Sequence, residues 1–447
     1  MSSNFRKTNL AACVLAASLM TGTAAYAEQA AKTPSTTRPA AVHYAAGLNE
    51  TAADPALSAP LRIAAVGDSL TAGYENGLAE NAVPYGYADR VYEQALYHGA
   101  AEFKNFGVLG LKSEGLRKWL EAAQSGTGAT ADDIQPGISK YRFAPETLAK
   151  SAELRMTLEQ ADLIVMTIGG NDFLPLFDEI KQRVMSPDDI QAWIDTMLES
   201  YKQSLEGALT AALGINPGAQ LVFADQYLPV PKPSTLNKAI TDEQYAVLQG
   251  AVKKLRELDE AVAANFRTQG YKVTTVDVSE PFMGKELAYT SILQGDIHPK
   301  QAGYEQMGKA FAKGIWGEYR ELAPLPADVP LNIVINGGAL SGSNKPILKN
   351  DTTFLPMRDI ANALKAQLAW DAKTKTATIQ ANNKVVAFTI GAKTMKVDGI
   401  PVPLETPPYL QQNGKNSFTY LPLAALSRGL GYQVVYRKPL QAAFINS

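Results

Sequence analysis

Histidine and cysteine are scarce in this sequence, which holds three histidines (His43, His98 and His298) and one cysteine, Cys13. A single cysteine cannot form an internal disulfide, and a zinc site built from cysteine and histidine is close to excluded. The charges nearly balance, with 42 basic and 44 acidic residues and a formal net charge of -2. This balance argues against nucleic acid as a partner. We predict no metal site and no cofactor.

Long hydrophobic runs are also missing near the start of the chain. The apolar run from Leu10 to about Thr23 is shorter than the roughly 20 residues that a membrane-spanning helix needs. It follows the basic residues Arg6 and Lys7 and precedes Ala25-Tyr26-Ala27, a small-x-small cleavage pattern. Residues 1–27 are therefore predicted to be a signal peptide, and the Ala-, Pro-, Thr- and Ser-rich residues 28–60 a linker. We expect a secreted, extracellular protein.

Strand and helix patterns alternate from residue 61 to about residue 320. Predicted strands cover 61–66, 103–106, 163–168, 219–225 and 271–277. Amphipathic helix patterns cover 84–98, 147–160, 187–213, 241–267 and 301–320. Such alternation is typical of an α/β domain with a parallel sheet and helices on both faces. The longer stretches 121–146 and 176–206 could form a rim over the site.

A serine stands directly after the first predicted strand, in Gly67-Asp68-Ser69-Leu70. Active sites of parallel α/β sheets lie at the carboxyl ends of the strands, so Ser69 is a candidate nucleophile. A serine in this position is also a common helix N-cap, and the residues alone leave both interpretations open. The G-x-S-x-G elbow of α/β-hydrolases is not present, because Thr71 stands where its second glycine would be.

His298 is the candidate general base. His43 lies in the predicted linker and His98 at the end of a helix pattern, whereas His298 lies in a loop before the last helix pattern. Asp296 precedes it by two residues and is the candidate acid. A histidine that caps a helix or contacts a backbone carbonyl is the structural alternative.

Two further strand ends offer hydrogen-bond donors for an oxyanion. Gly107 and Gly110 follow the second strand, where backbone N–H groups can approach a substrate closely. Gly169-Gly170-Asn171-Asp172 follows the third strand and offers the side-chain amide of Asn171. Each is an ordinary turn when taken alone, but all lie at the same edge of the predicted sheet.

These blocks resemble those of the SGNH, or GDSL-type, esterase and lipase superfamily over about residues 61–320. Gly67-Asp68-Ser69-Leu70 resembles the nucleophile block, Gly110 the glycine of the second block, Gly169-Gly170-Asn171-Asp172 the third and His298-Pro299 the last. The resemblance implies a flavodoxin-like three-layer α/β/α fold and ester hydrolysis through an acyl-serine intermediate. It also implies oxyanion donors from the Ser69 N–H, the Gly110 N–H and the Asn171 amide.

The last block departs from the family pattern. The family acid stands three residues before the histidine, where this chain has Gly295, and Asp296 stands only two before. Either the loop is reshaped so that Asp296 reaches the imidazole, or a backbone carbonyl or another group orients His298.

The chain changes character after a proline-rich segment, which is predicted to be a linker over 321–330. Residues 331–447 are predicted to form a small α+β repeat domain, because the pattern starting at Phe354-Leu355-Pro356 recurs at Tyr420-Leu421-Pro422. Together with Asn336-Gly337, Asp398-Gly399 and Asn413-Gly414, this pattern resembles the copper amine oxidase N-terminal-like domain. No histidine or cysteine follows His298, so copper ligands are missing. The domain is either an accessory module that contacts the cell wall or a polysaccharide, or an appendage without a ligand.

The leading hypothesis is a secreted serine esterase or lipase, associated with the cell wall if the accessory module binds there. Its acyl-ester substrate is either a lipid ester or an O-acetyl carbohydrate. The alternative is a catalytically degenerate surface- or wall-binding protein, which the shifted acid motivates.

Overall fold

The computed structural model describes residues 59–79, 81–183, 185–234, 240–340, 344–413 and 416–447. The predicted signal peptide, nearly all of the following linker, Cys13, His43 and Gly414 lie outside these residues. The described chain divides into two compact units, one built mainly from Arg62–Tyr92 and Glu102–Tyr319 and the other mainly from Arg320–Ser447. Within the described ranges, no helix has the length and apolar character needed to span a membrane.

A five-stranded sheet forms the centre of the first unit. Its strands are β1 (Leu61–Gly67), β2 (Ala101–Gly107), β3 (Leu163–Thr167), β4 (Gln220–Ala224) and β5 (Lys272–Val276). They lie in the order β2-β1-β3-β4-β5 and run parallel, which is the flavodoxin-like order. Every residue of β3 is buried, as expected for a central strand that is covered on both faces. The predicted fold class is confirmed.

Helices cover this sheet, and two of them are long. In chain order they are α1 (Ser69–Ala72), α2 (Tyr87–His98), α3 (Ser113–Ser125), α4 (Ala131–Ile134), α5 (Ala144–Leu148), α6 (Ser151–Gln160), α7 (Gly170–Gln182), α8 (Pro187–Ile215), α9 (Asp242–Thr268), α10 (Ser279–Phe282), α11 (Glu286–Tyr289) and α12 (Gln301–Trp316). Capping boxes at Ser186 and Thr241 satisfy the first backbone N–H groups of α8 and α9. Apolar side chains of α3, α8 and α9 pack with those of the sheet into one core. This core includes Trp119 and Tyr201.

The second unit consists mostly of short strands, so the predicted label α+β is too loose. Three sheets have the strand orders β10-β11-β12-β13-β14, β15-β16-β9-β8 and β17-β18-β6-β7. The strands are β6 (Asn332–Ile335), β7 (Gly338–Ala339), β8 (Ile347–Lys349), β9 (Thr352–Pro356), β10 (Gln367–Asp371), β11 (Thr376–Ala381), β12 (Lys384–Thr389), β13 (Thr394–Val397), β14 (Ile400–Pro403), β15 (Tyr409–Asn413), β16 (Asn416–Pro422), β17 (Gln433–Arg437) and β18 (Ala442–Asn446). The helices described here, α13 (Met357–Ala363) and α14 (Leu423–Gly429), have only seven residues each.

The internal repeat of the sequence is visible as two strand–helix–strand elements in this unit. One element runs through β9, α13 and β10, and the other through β16, α14 and β17. The two copies meet where β9 and β16 pair in antiparallel fashion, with Leu355 opposite Leu421. Both leucines are fully buried in a shared core. Each copy therefore buries its apolar strand against the other copy, which neither could do alone.

Candidate active site

Ser69 lies at the end of the strand β1, where the chain turns sharply into α1. Gly67 has a φ of +139°, and a Cβ at this position would lie 2.1 Å from the backbone oxygen of Thr167 on β3. Only glycine fits this turn. The N-cap of α1 is Asp68, whose Oδ1 accepts from the Leu70 N–H at 3.0 Å. The capping role that the sequence allowed for Ser69 is thus filled by its neighbour, and the Ser69 hydroxyl points elsewhere.

The Ser69 hydroxyl meets the imidazole of His298. The distance from Ser69 Oγ to His298 Nε2 is 2.8 Å, and that from His298 Nδ1 to Asp296 Oδ1 is 2.6 Å. A carboxylate can only accept, so the hydrogen on the ring is assigned to Nδ1, and Nε2 can accept from the serine. The structure thus brings together the serine, the histidine and the acid that the sequence singled out.

Backbone contacts fix the loop that carries Asp296 and His298. Gly295 has a φ of +78° and ends a short 3-10 turn. Ser291 then contacts both sides of the loop, because its N–H donates to the His298 oxygen and its oxygen accepts from the Asp296 N–H. The hydroxyl of Tyr227 donates to the Ile297 oxygen at 2.8 Å. Asp296 Oδ1 also accepts from the His298 backbone N–H at 2.7 Å.

The carboxyl of Asp296 is suited to remain ionised. Burial by itself would raise its pKa, but the hydrogen bonds from the ring and backbone of His298, and the charge of that ring, lower the pKa below its usual value. A carboxylate in this state stabilises an imidazolium that forms beside it.

Besides Ser69, two oxyanion donors were predicted: Gly110 lies in the loop after β2, and Asn171 lies at the start of the helix after β3. Asn171 is in the first turn of α7, and its Nδ2 donates to the backbone oxygen of Leu111 at 2.9 Å. The side-chain amide has a second N–H hydrogen, which does not take part in this hydrogen bond. Gly110, the residue before Leu111, has a φ of +76°, and a Cβ there would lie 2.4 Å from the ring of Tyr141. Asn171 lines the same cavity as Ser69 and His298, whereas Gly110 lies outside that lining.

Two features of the site were missed by sequence reasoning. The first is a buried network behind Ser69, in which Thr167 Oγ1 donates to Asp68 Oδ1 at 2.9 Å and Thr71 Oγ1 lies 2.7 Å from Thr167 Oγ1. Burial raises the pKa of Asp68 to about 6, although hydrogen bonds from Thr167 and Leu70 and the charge of His298 oppose this. The second is Tyr74, whose ring packs edge-on against the ring of His298 with centroids 4.6 Å apart. Tyr74 directly follows the glycine that ends α1, which is the signal that could have pointed to it.

A cavity with about 800 Å³ of empty space, part of it open to solvent, lies beside Ser69. Its polar end holds Ser69, Asn171 and His298. The remaining wall is mostly apolar and is built from α7, α8, α9 and the segment after β4; examples are Phe173, Phe177, Ile194, Pro229, Leu248 and Leu255. The predicted rim segment 176–206 contributes to this wall. In the described residues, no group of three or more His, Cys, Asp or Glu side chains is placed to hold a metal ion.

The chain belongs to the GDSL-like lipase/acylhydrolase family, whose model matches residues 65–306. The copper amine oxidase N-terminal domain model matches residues 334–444. Family membership supports ester hydrolysis as the general chemistry. No curated protein matches the sequence.

Several solved structures are similar to the chain. The lipase Lip_vut3 from a goat rumen metagenome is 18% identical with a TM-score of 0.38, and the alignment covers 58% of this chain and all of that one. For an extracellular lipase from Streptomyces rimosus the identity is 17%, the TM-score 0.37 and the coverage 57% and 98%. A family 3 carbohydrate esterase from Clostridium thermocellum is 16% identical with a TM-score of 0.34, and the alignment covers 57% of this chain and 95% of that one.

Proposed function

We propose that the protein is a carboxylic ester hydrolase that works through an acyl-serine intermediate on Ser69. The observation that carries the proposal is the chain of short contacts from Ser69 Oγ to His298 Nε2 at 2.8 Å and from His298 Nδ1 to Asp296 at 2.6 Å. This arrangement gives each residue of a catalytic triad its partner. The contacts are formed at the polar end of a mostly apolar cavity that is partly open to solvent.

In the first half of the reaction, Ser69 Oγ forms a bond to the ester carbonyl carbon while His298 Nε2 takes the hydroxyl proton. Negative charge develops on the carbonyl oxygen, and the Ser69 N–H, the Gly110 N–H and the Asn171 amide stabilise it. The tetrahedral intermediate then breaks the bond between the carbonyl carbon and the alcohol oxygen. His298 gives its proton to the departing alcohol.

In the second half, water attacks the acyl-serine carbonyl and passes a proton to His298. The bond between carbonyl carbon and Ser69 Oγ breaks, the proton returns to Ser69, and a carboxylic acid leaves. Asp296 keeps the hydrogen on His298 Nδ1 throughout and stabilises the imidazolium that forms twice in the cycle.

Of the two substrate classes expected from the sequence, the cavity favours a lipid ester over an O-acetyl carbohydrate. A sugar placed along the apolar wall would leave its hydroxyl groups without partners, which is costly, whereas a hydrocarbon chain gains from burial there. An acetyl group would leave most of the wall uncovered.

The test is an ester panel with wild type, Ser69→Ala and Ser125→Ala as a matched control at an exposed position. We expect turnover of p-nitrophenyl and glycerol esters by wild type and Ser125→Ala, and loss of at least about 10³-fold in kcat for Ser69→Ala. A fluorophosphonate probe should label wild type at Ser69. An intact Ser69→Ala variant with full activity refutes the mechanism, and a wild type that is never labelled favours a catalytically degenerate binding protein.

The protein is further proposed to be secreted, with support from the signal-like pattern of residues 1–27. N-terminal sequencing of the exported protein should then begin at Glu28. A cytoplasmic protein that retains Met1 contradicts export.

The second unit is proposed to contact cell-wall polysaccharide. Trp370 and Tyr436 are the second-to-last residues of equivalent strands, β10 and β17, of the two repeat copies. They are 39% and 57% exposed, and exposed aromatic rings offer apolar faces to sugar rings. Replacing both by alanine should weaken pull-down by cell walls and leave turnover of a soluble ester unchanged. Ile400→Ala, at a 67% exposed position of the same unit, is the control. Unchanged pull-down leaves the second unit as an appendage without this ligand.

A further inference from the structure

The cavity beside Ser69 extends in one direction only along the sheet edge. At the sheet edge its lining comes from the residues after β1, from α7 after β3, from Gln226 and Pro229 after β4, and from the loop of His298 after β5. In the sheet order these are four adjacent strands, and the described residues after β2, on the other side of β1, are not part of the lining. The cavity therefore leads from Ser69 past Asn171 towards α9.

This direction identifies the part of an ester that the cavity receives. The carbon that Ser69 attacks has four substituents in the tetrahedral intermediate: Ser69 Oγ, the oxyanion, the alcohol oxygen and the acyl chain. The oxyanion belongs at Asn171, and the alcohol oxygen must lie near His298, which protonates it. The acyl chain is the remaining substituent, and the remaining wall of the cavity is the apolar one.

The chemistry of the wall fits a hydrocarbon chain. Among the described residues that line the cavity, Asp68 and His298 are the acidic and basic side chains, and both belong to its polar end. The apolar wall includes Ile194, Leu248 and Leu255, which are at most 4% exposed. A saturated acyl chain gains roughly fourfold in transition-state binding for each methylene that becomes buried there.

One side chain of the wall is smaller than its neighbours. Leu248, Ala251, Val252 and Leu255 of α9 follow the spacing of a single helix face and all line the cavity. Ala251 has the smallest apolar side chain of the lining and is 9% exposed. Because Ala251 lines the cavity between two leucines, a larger side chain at this position would take up space in the cavity.

We infer that the cavity binds the acyl chain of the substrate, and that Ala251 sets the longest chain that fits. This inference rests on the proposed ester hydrolysis at Ser69 and assigns the acyl site and its length limit to named residues of this chain. Wild type should prefer medium-length acyl chains to acetyl. Ala251→Leu should shift the preferred length downward by about three methylenes, because the leucine side chain has three more carbons than alanine.

The test measures kcat/KM for p-nitrophenyl acetate, butyrate, hexanoate, octanoate, decanoate and palmitate with wild type, Ala251→Leu and Ala246→Leu. Ala246 is an exposed residue of the same helix, and its variant is the matched control. We expect Ala251→Leu to lose about 50-fold or more on the ester that wild type turns over best, by roughly fourfold for each of three methylenes, and to lose much less on acetate. Ala246→Leu should keep the wild-type profile.

Acetate turnover shows whether the variant has retained its catalytic residues. If Ala251→Leu does not fold, Ala251→Val tests the same point with two added carbons. An equal loss on all esters, or a profile that neither Ala251 variant shifts, overturns the inference about Ala251. A wild type that turns over acetate best overturns the acyl site while the proposed esterase function stands. A wild type that turns over no ester refutes the esterase function itself.

Discussion

Asp296 contacts His298 twice through one oxygen: its Oδ1 lies 2.6 Å from the ring Nδ1 and 2.7 Å from the backbone nitrogen. The spacing of two residues makes this possible, because an aspartate side chain readily accepts from the backbone N–H two residues further on. The same turn places the carboxylate beside the imidazole. A spacing that departs from the family pattern therefore still places the acid at the ring.

Replacing Asp296 by asparagine should lower kcat by about 10²–10⁴-fold at neutral pH. The amide can still accept from the backbone, so the loop should keep its shape, but it cannot stabilise an imidazolium in the same way. Steady-state kinetics with a p-nitrophenyl ester measure the effect. Glu280→Gln, an exposed carboxylate on α10, is the control and should behave as wild type. An Asp296→Asn variant with normal kcat would show that another group orients His298.

Replacing Asn171 by alanine should lower kcat by about 10²–10³-fold with little change in KM, because the amide is proposed to act only on the developing oxyanion. Its contact with the Leu111 oxygen is also lost, so near-ultraviolet circular dichroism should accompany the kinetics. A large rise in KM with unchanged kcat would place Asn171 in ground-state binding instead.

Tyr74 is expected to position His298 by its edge-on ring contact. Tyr74→Phe preserves the ring and should keep kcat within about threefold of wild type, whereas Tyr74→Ala removes it and should lower kcat by about tenfold or more. KM should change much less in both variants. Equal activity of Tyr74→Ala and wild type would rule out this positioning role.

Asp225 should make the first unit less stable as the pH rises. Burial raises its pKa to about 6, although hydrogen bonds from Ser279 and from the Val278 N–H oppose this. The folded state thus binds the proton more tightly than the unfolded state, whose pKa is about 3.9. The contribution of Asp225 to the free energy of unfolding is fully present below the unfolded pKa and is lost as the pH rises through about 6. The full contribution is about 3 kcal/mol.

Asp225→Asn should remove this part of the pH dependence, since an amide oxygen can accept the same backbone hydrogen bonds. Urea unfolding followed at several pH values measures it. The free energy of unfolding of the variant, minus that of wild type, should grow by about 2 kcal/mol between about pH 4 and pH 7. A difference that stays constant with pH would show that Asp225 does not carry the titration.

Much of the fold was predictable because it depends on local patterns. Buried strands such as β3 are apolar throughout, and long helices such as α9 combine an apolar face with a capping residue, here Thr241. Turns of the second unit also follow from local residue pairs, because Asn336-Gly337 and Asp398-Gly399 take the positive φ values that tight hairpins require. The label α+β was too loose there, because the two repeated helices are short and the strands between them are many.

The sequence by itself determined the strand that ends at Gly67, the serine after it and the choice of His298 among three histidines, since these follow from residue type and neighbours in the chain. Only the tertiary structure decided that Asp296 reaches His298, because two alternative loop shapes were compatible with the same residues. The cavity also belongs to the tertiary structure. Phe173, Ile194 and Ala251 lie on three different helices, and nothing local to any of them indicates that their side chains meet beside Ser69.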